Sequence, residues 1–170
     1  NNSGQLGVGN TLGAYEQAVE VPGIADAVEV RATGSAACAR RANGAVACWG
    51  ALGRINGAPS FVRSSRPVGV QGVTDAKQIA LGGSTLCVLH EAGAVSCQHD
   101  DEMAPIEGLT GVAEIAAGGS TTCARLEDGG GVRCWGSGNY GQLGNGEEGA
   151  SFRTPVEVTG LSGATQLAFG

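Results

Sequence analysis

The sequence predicts an all-β fold assembled from tandem repeats, read as consecutive blades of a β-propeller. Three observations carry that prediction. One hairpin-like segment recurs three times, with a pair of cysteines in every copy. The apolar pieces are short and alternate with period two, as strands do, and Gly or Pro cuts them before a helix of three turns could grow. Glycine supplies 31 of 170 residues, an abundance that is costly inside helices and useful where the backbone turns or takes positive φ.

The hairpin copies set the register. Gly34-Ser35-Ala36-Ala37-Cys38-Ala39 with Gly44-Ala45-Val46-Ala47-Cys48-Trp49-Gly50 returns as Gly83-Ser84-Thr85-Leu86-Cys87 with Gly93-Ala94-Val95-Ser96-Cys97. It returns again as Gly119-Ser120-Thr121-Thr122-Cys123-Ala124 with Gly131-Val132-Arg133-Cys134-Trp135-Gly136. The first cysteines lie 49 and then 36 residues apart, so the second repeat is short. A second block occurs four times, beginning at Val19, Val68, Pro105 and Val156 and ending in Gly23-Ile24, Gly72-Val73, Gly108-Leu109 and Gly160-Leu161. A third block, Gly4-Gln5-Leu6-Gly7, reappears as Gly141-Gln142-Leu143-Gly144 and, degraded, as Gly53-Arg54-Ile55-Asn56, and is missing after Cys97. Residues 1–170 therefore read as one repeat array, with units of approximately 1–50, 51–98 and 99–136 and a partial unit 137–170, about three and a half blades in all.

Within a hairpin the period-two rule puts Val46 and Cys48 on one face and Ala45, Ala47 and Trp49 on the other. Gln78–Gly82 and Ala113–Ala117 read as inner strands near a propeller axis, where small residues let blades approach. Trp49 and Trp135 follow the second cysteine in their copies and are assigned to packing between blades.

All six cysteines fall in these hairpins, at spacings of 10, 10 and 11 residues. Asn43-Gly44 and Ala92-Gly93 lie at the midpoints of the first two, so a short turn sets Cys38 opposite Cys48 and Cys87 opposite Cys97. In the third, the glycines after Asp128 absorb the extra residue between Cys123 and Cys134. Opposed residues on antiparallel strands come within disulfide reach. Zinc ligands come instead as closely spaced cysteine pairs gathered in fours, and reduced buried thiols are the other alternative. Disulfides are the expected state, and with them an oxidising compartment: extracellular, periplasmic or cell-surface.

The combined pattern is Cys-Trp-Gly at 134–136, Asn139-Tyr140-Gly141-Gln142-Leu143-Gly144-Asn145-Gly146, then Pro155-Val156-Glu157-Val158-Thr159-Gly160-Leu161. It resembles the repeat of the regulator of chromosome condensation (RCC1-like) family. The resemblance implies a seven-bladed β-propeller, so three cysteine hairpins and four Pro-Val-type blocks are too few to close the ring. A partial propeller, part of a longer repeat chain, or a subunit of an assembled ring is expected. The second copy departs from the pattern, with Gln98-His99 in place of Trp-Gly.

The formal charge of −6, pI near 4.8 and the single lysine, Lys77, argue against a phosphate-binding surface, and no nucleic-acid partner is expected. No apolar run approaches the ~20 residues of a membrane span. The amino-terminal residues lack the basic and apolar regions of a signal peptide, so the chain is expected to begin in mid-protein or after processing. No convergent catalytic set, metal site or cofactor motif is found. His90 and His99 read as strand ends, and Asp100-Asp101-Glu102 reads as a solvated loop.

The loop holding Arg54, Phe61, Arg63 and Arg66 concentrates cations beside an aromatic, a composition enriched at binding hot spots. Tyr140, Phe152 and Arg153 belong to the corresponding part of the last repeat. These seven residues are the candidate partner-binding positions. The leading function is a non-catalytic scaffold that binds a protein partner through variable rim loops, as propellers of this family commonly do. The resemblance leaves three alternatives: an enzyme inhibitor, a self-assembling ring or stalk, and a guanine-nucleotide exchange factor.

Overall fold

The computed structural model describes residues 1–53, 56, 62–83, 85–99 and 102–169. Its twelve strands form three four-stranded antiparallel sheets, each a meander in which neighbours in sequence are neighbours in space. The first blade holds β1 (Ala27–Ala32), β2 (Ala36–Arg41), β3 (Val46–Gly53) and β4 (Val62–Gly69). The second holds β5 (Ala76–Gly82), β6 (Thr85–His90), β7 (Val95–His99) and β8 (Glu102–Pro105). The third holds β9 (Val112–Gly118), β10 (Thr121–Leu126), β11 (Val132–Gly136) and β12 (Phe152–Glu157). The described residues contain no helix.

Turn chemistry decides the cysteine geometry. In the first hairpin the Arg41 N–H donates to Ala45 O, which closes a loop of Ala42, Asn43 and Gly44, and Gly44 takes the left-handed φ of +80° that such a loop requires. Counting back from that hydrogen-bonded pair, alternate pairs are non-hydrogen-bonded, and Cys38 with Cys48 is one of them. The second hairpin repeats the count from His90 and Ala94 to Cys87 and Cys97. The third counts from Leu126 and Gly131 to Cys123 and Cys134, its longer loop absorbed by Gly129 and Gly130, both at positive φ. The paired cysteines have Cα atoms 4.0, 4.0 and 4.1 Å apart and all three pairs are disulfides.

The residue pair after the second cysteine sets the outer part of the blade. Gly136 follows Trp135 with φ +103°, and a Cβ there would lie 2.2 Å from the Ser120 carbonyl oxygen. Gly50 does the same against Ser35. This kink lets Ala51 and Ser137 donate their N–H groups to those carbonyls, and the outer strand then joins with a register shift. In the second repeat His99 stands in the glycine's place. There β7 runs on unshifted, Gln98 opposite Met103 and His99 opposite Glu102, into a short outer hairpin. Loss of the Gly-Gln-Leu-Gly segment and loss of the kink are one structural event.

Both faces of every blade are apolar. Cys38, Cys48 and Val46 pack with Val73, Ile79 and Val88 between the first and second blades. Leu89, Val95, Leu109 and Ile115 pack with Trp135 between the second and third. Beyond the third blade, Cys123, Cys134 and Leu143 are covered by Val158, Ala164 and Leu167, and before the first blade Trp49 is covered by Val21 and Ile24. The facing assignment made for Val46, Cys48 and Trp49 holds. The inner strands β1, β5 and β9 carry the segments read as axial, and with Gln166–Phe169 they line a cavity of about 390 Å³.

Two outcomes follow. Unreduced protein should have a mass six hydrogens below the fully reduced chain, and Cys38→Ala with Cys48→Ala should lower unfolding free energy by about 2–3 kcal/mol in a denaturant titration. Gly136→Ala should lower it by more than about 1 kcal/mol, because the strain of positive φ is joined there by a Cβ 2.2 Å from the Ser120 carbonyl oxygen. The same change at Gly146, where a Cβ meets nothing within 4 Å, should cost less.

Candidate functional site

The polar chemistry of the molecule gathers at the junctions between blades. At the inner layer, Glu29, Gln78 and Glu114 occupy one repeat position. The Glu29 carboxylate accepts the Ile79 backbone N–H of the next blade at 3.1 Å, and Gln78 Oε1 accepts that of Ile115 at 2.8 Å. The residue opposite on the second strand matches the side chain's charge. Glu29 and Glu114 accept from the Nε of Arg40 and Arg125 at 3.0 and 3.1 Å, whereas Gln78 lies opposite Leu89. Arg31 adds its Nε to Ile79 O at 3.2 Å. The signal for this ladder lay in the repeat alignment, which carries Glu, Gln, Glu and Gln at 29, 78, 114 and 166.

At the outer layer, the residue after the second cysteine donates backwards to the preceding strand segment. The Trp49 indole N–H donates to Gln5 O at 2.8 Å, and Gln98 Nε2 donates to Leu52 O at 3.3 Å. Trp135 occupies the third such position. Its indole N–H makes no hydrogen bond to the described residues and is not shut off from solvent.

A second constellation lies at the opposite end of the middle blade, where His90 bridges three strand segments. Its Nδ1 is 2.7 Å from Asp75 Oδ1 and its Nε2 is 2.8 Å from Ser96 Oγ. With the carboxylate accepting from Nδ1–H, Nε2 accepts from the serine hydroxyl. The order of bonding is that of an acyl-transfer triad. Ser96, however, lies in mid-strand between Val88 and Pro105 and is buried. The arrangement ties the hairpin to the start of β5. Sequence reasoning placed His90 at a strand end, where it is, and missed both partners.

The candidate partner-binding residues are dispersed. Arg63 and Arg66, read from the sequence as loop residues, instead stand exposed on β4, and Arg66 lies along Gly9 of the amino-terminal segment. Tyr140 is 89% exposed in the connection between β11 and β12. Phe152 is partly buried against the layer containing Leu143, while Arg153 is exposed and its Nη1 lies 3.0 Å from His99 Nε2. Arg54 and Phe61 lie outside the described residues, as do Asp100 and Asp101 of the acidic loop. Among the described residues no group of three or more metal-ligating side chains converges, and no helix is long and apolar enough to cross a membrane.

Fold and site together define a class: a disulfide-stapled, repeat-built propeller segment whose polar groups join blade to blade. Residues 112–142 and 129–170 each match a model of the Regulator of chromosome condensation (RCC1) repeat. No curated protein matches it in sequence. Among solved structures it is similar to Prp20p from Saccharomyces cerevisiae, at 24% identity and TM-score 0.64 over 77% of this chain and 36% of that one. It is similar too to human WBSCR16, at 24% identity and TM-score 0.66 over 78% of this chain and 39% of that one. The likeness concerns the fold, and the chain spans less than two fifths of either relative.

Substituting the two tryptophans tests the outer layer. Trp49→Phe should lower unfolding free energy by about 1 kcal/mol more than Trp135→Phe, because only the first removes a made hydrogen bond along with the indole. Paired denaturation curves check this.

Proposed function

We propose that this chain is part of a non-catalytic, extracytoplasmic propeller that binds a protein partner through its outer-rim loops. The observation that carries the reading is the contrast between framework and rim. Disulfides, bulges and inter-blade hydrogen bonds repeat from blade to blade, whereas Arg63, Arg66, Tyr140 and Arg153 are exposed and differ from one repeat to the next. Exposed arginine and tyrosine on a rigid frame suit protein recognition, since both are enriched at binding hot spots. Structures of similar fold keep such company: Prp20p was characterised with its binding to Gsp1p and histones, and yeast RCC1 was crystallised bound to Kap60. Three disulfides favour an oxidising compartment. The whole of residues 1–170 acts in this reading as one repeat array.

One observation favours a second reading, assembly into a larger ring. Val30 is 53% exposed on the leading face of the first blade, whereas its repeat equivalents Ile79 and Ile115 are 0% and 1% exposed beneath a preceding blade. Val28, beside it, is also exposed. A further blade of the same kind fits that face, whether from the same chain or another.

Immobilised protein should capture a discrete partner from the extracellular or periplasmic fraction of its source. A variant carrying Arg63→Ser, Arg66→Ser, Tyr140→Ser and Arg153→Ser should not. Identical capture by the two would refute rim binding, and a strict monomer at millimolar concentration by sedimentation would refute assembly of separate chains.

A further inference from the structure

The sequence holds three Asn-Gly pairs, at 43–44, 56–57 and 145–146. In such a pair the side-chain carboxamide is open to attack by the glycine's backbone nitrogen, because the following residue has no Cβ to obstruct the closing ring. The reaction needs that N–H free and the carboxamide able to turn, so the fold decides which pair is reactive.

Two of the three are held. At Asn43 the Gly44 N–H donates to Arg41 O at 3.0 Å inside the hairpin turn, and the Gly44 carbonyl accepts the Ala76 N–H of the next blade at 3.0 Å. At Asn56 both ends of the carboxamide are tied. Its Nδ2 donates to Gly69 O at 2.7 Å and its Oδ1 accepts the Gln71 N–H at 2.8 Å.

Asn145 differs. Gly146 is exposed, a Cβ on it would meet nothing within 4 Å, and its N–H makes no hydrogen bond to the described residues. Asn145 Oδ1 accepts the Glu147 N–H at 3.2 Å, as Asn43 Oδ1 accepts that of Ala45 at 3.1 Å. Such a bond polarises the carboxamide carbonyl and steadies the oxyanion formed on attack. With the two carbonyls held alike, the glycine N–H is what separates the pairs. The amino-terminal copy shows the same place closed. Gly9 follows Gly4-Gln5-Leu6-Gly7 as Gly146 follows Gly141-Gln142-Leu143-Gly144, and it donates its N–H to Ser65 O at 2.7 Å. There a blade seated alongside covers the amide, and Val8 stands in place of the asparagine.

We propose that Asn145-Gly146 is a site of spontaneous deamidation in this chain. The Gly146 nitrogen gives its proton to solvent hydroxide and bonds to Asn145 Cγ. The Cγ–Nδ2 bond breaks, and Nδ2 leaves as ammonia with a proton from water. Water then opens the five-membered imide at either carbonyl, giving aspartate or, with the backbone rerouted through the side chain, isoaspartate. No group is oxidised or reduced. The product adds one negative charge to the formal −6, beside Glu147 and Glu148 in the loop that carries Tyr140. The conversion is independent of rim binding, and it alters a loop of that rim.

The test incubates the whole oxidised chain, dilute enough to sediment as a monomer, in mildly alkaline buffer and follows the change of amide to acid by tryptic peptide mapping. Trypsin puts the three pairs on separate peptides, 42–54, 55–63 and 134–153, and fragmentation separates Asn145 from Asn139 in the last. Asn145 should convert about tenfold faster than Asn43 or Asn56, the factor expected when attack must first break one hydrogen bond. In the reduced, urea-unfolded chain the three should convert at similar rates. Asn43 keeping pace with Asn145 in the folded chain overturns the proposal. Folding that protects Asn145 as strongly as it protects Asn43 overturns it too.

Discussion

A four-stranded sheet that is apolar on both faces cannot stand alone in water, and that constraint governs everything else in this chain. Each blade carries a disulfide on its trailing face; its leading face holds Ala37 and Ala39 with Trp49 in the first blade, Ile79, Leu81, Leu86 and Val88 in the second, and Ile115 and Ala124 with Trp135 in the third. Burying both requires a neighbour on either side, so the stable unit is the stack rather than the blade. The disulfides fit this logic. Each crosses only one hairpin, so it holds a blade's own pairing and leaves the joining of blades to apolar contact and a few placed hydrogen bonds.

Those hydrogen bonds have a direction. At the inner layer the trailing blade offers a carboxylate or amide oxygen and the next blade offers a backbone N–H. At the outer layer a backbone carbonyl is met by the side-chain N–H of Trp49 or Gln98. In these four bonds acceptors face forward along the chain and donors face back, while the Arg31 Nε bond to Ile79 O runs the other way. The direction survives a change of residue, since an indole and a primary amide perform the same task at adjacent junctions. Among the described residues Trp135 makes no such bond, and the rim beside it carries Arg153, whose Nη1 lies 3.0 Å from His99 Nε2.

Much of this was legible in the residues. Periodicity of two, the ten-residue cysteine spacing and the glycines at 44 and 93 determine the hairpins, because hydrogen-bond pairing alternates and a turn of known length sets its phase. Trp-Gly against Gln-His after the second cysteine marks the presence or absence of the outer kink. The Glu29, Gln78, Glu114 series was open to view in the alignment but had no meaning until the inner strands were set side by side. The bridge from Asp75 to His90 repeats, 49 residues on, the Asp26–Arg41 pair of the first blade, whereas its extension to Ser96 has no counterpart there, Ala47 standing in that place.

The seven proposed rim residues divide on similar grounds. That Arg63, Arg66, Tyr140 and Arg153 would be exposed follows from their place near loops between polar and glycine residues. That Phe152 packs inward, and that Arg153 meets His99 rather than an acid, depends on neighbours contributed by other repeats. By itself the sequence determined the blades: their strands, their turns, their cysteine pairs and the shortened second copy, all set by forces acting within about ten residues. Only the tertiary structure decided which donor meets which acceptor across a junction. Those outcomes depend on segments brought together from separate repeats, as when Trp49 meets the Gln5 carbonyl and Gln98 the Leu52 carbonyl.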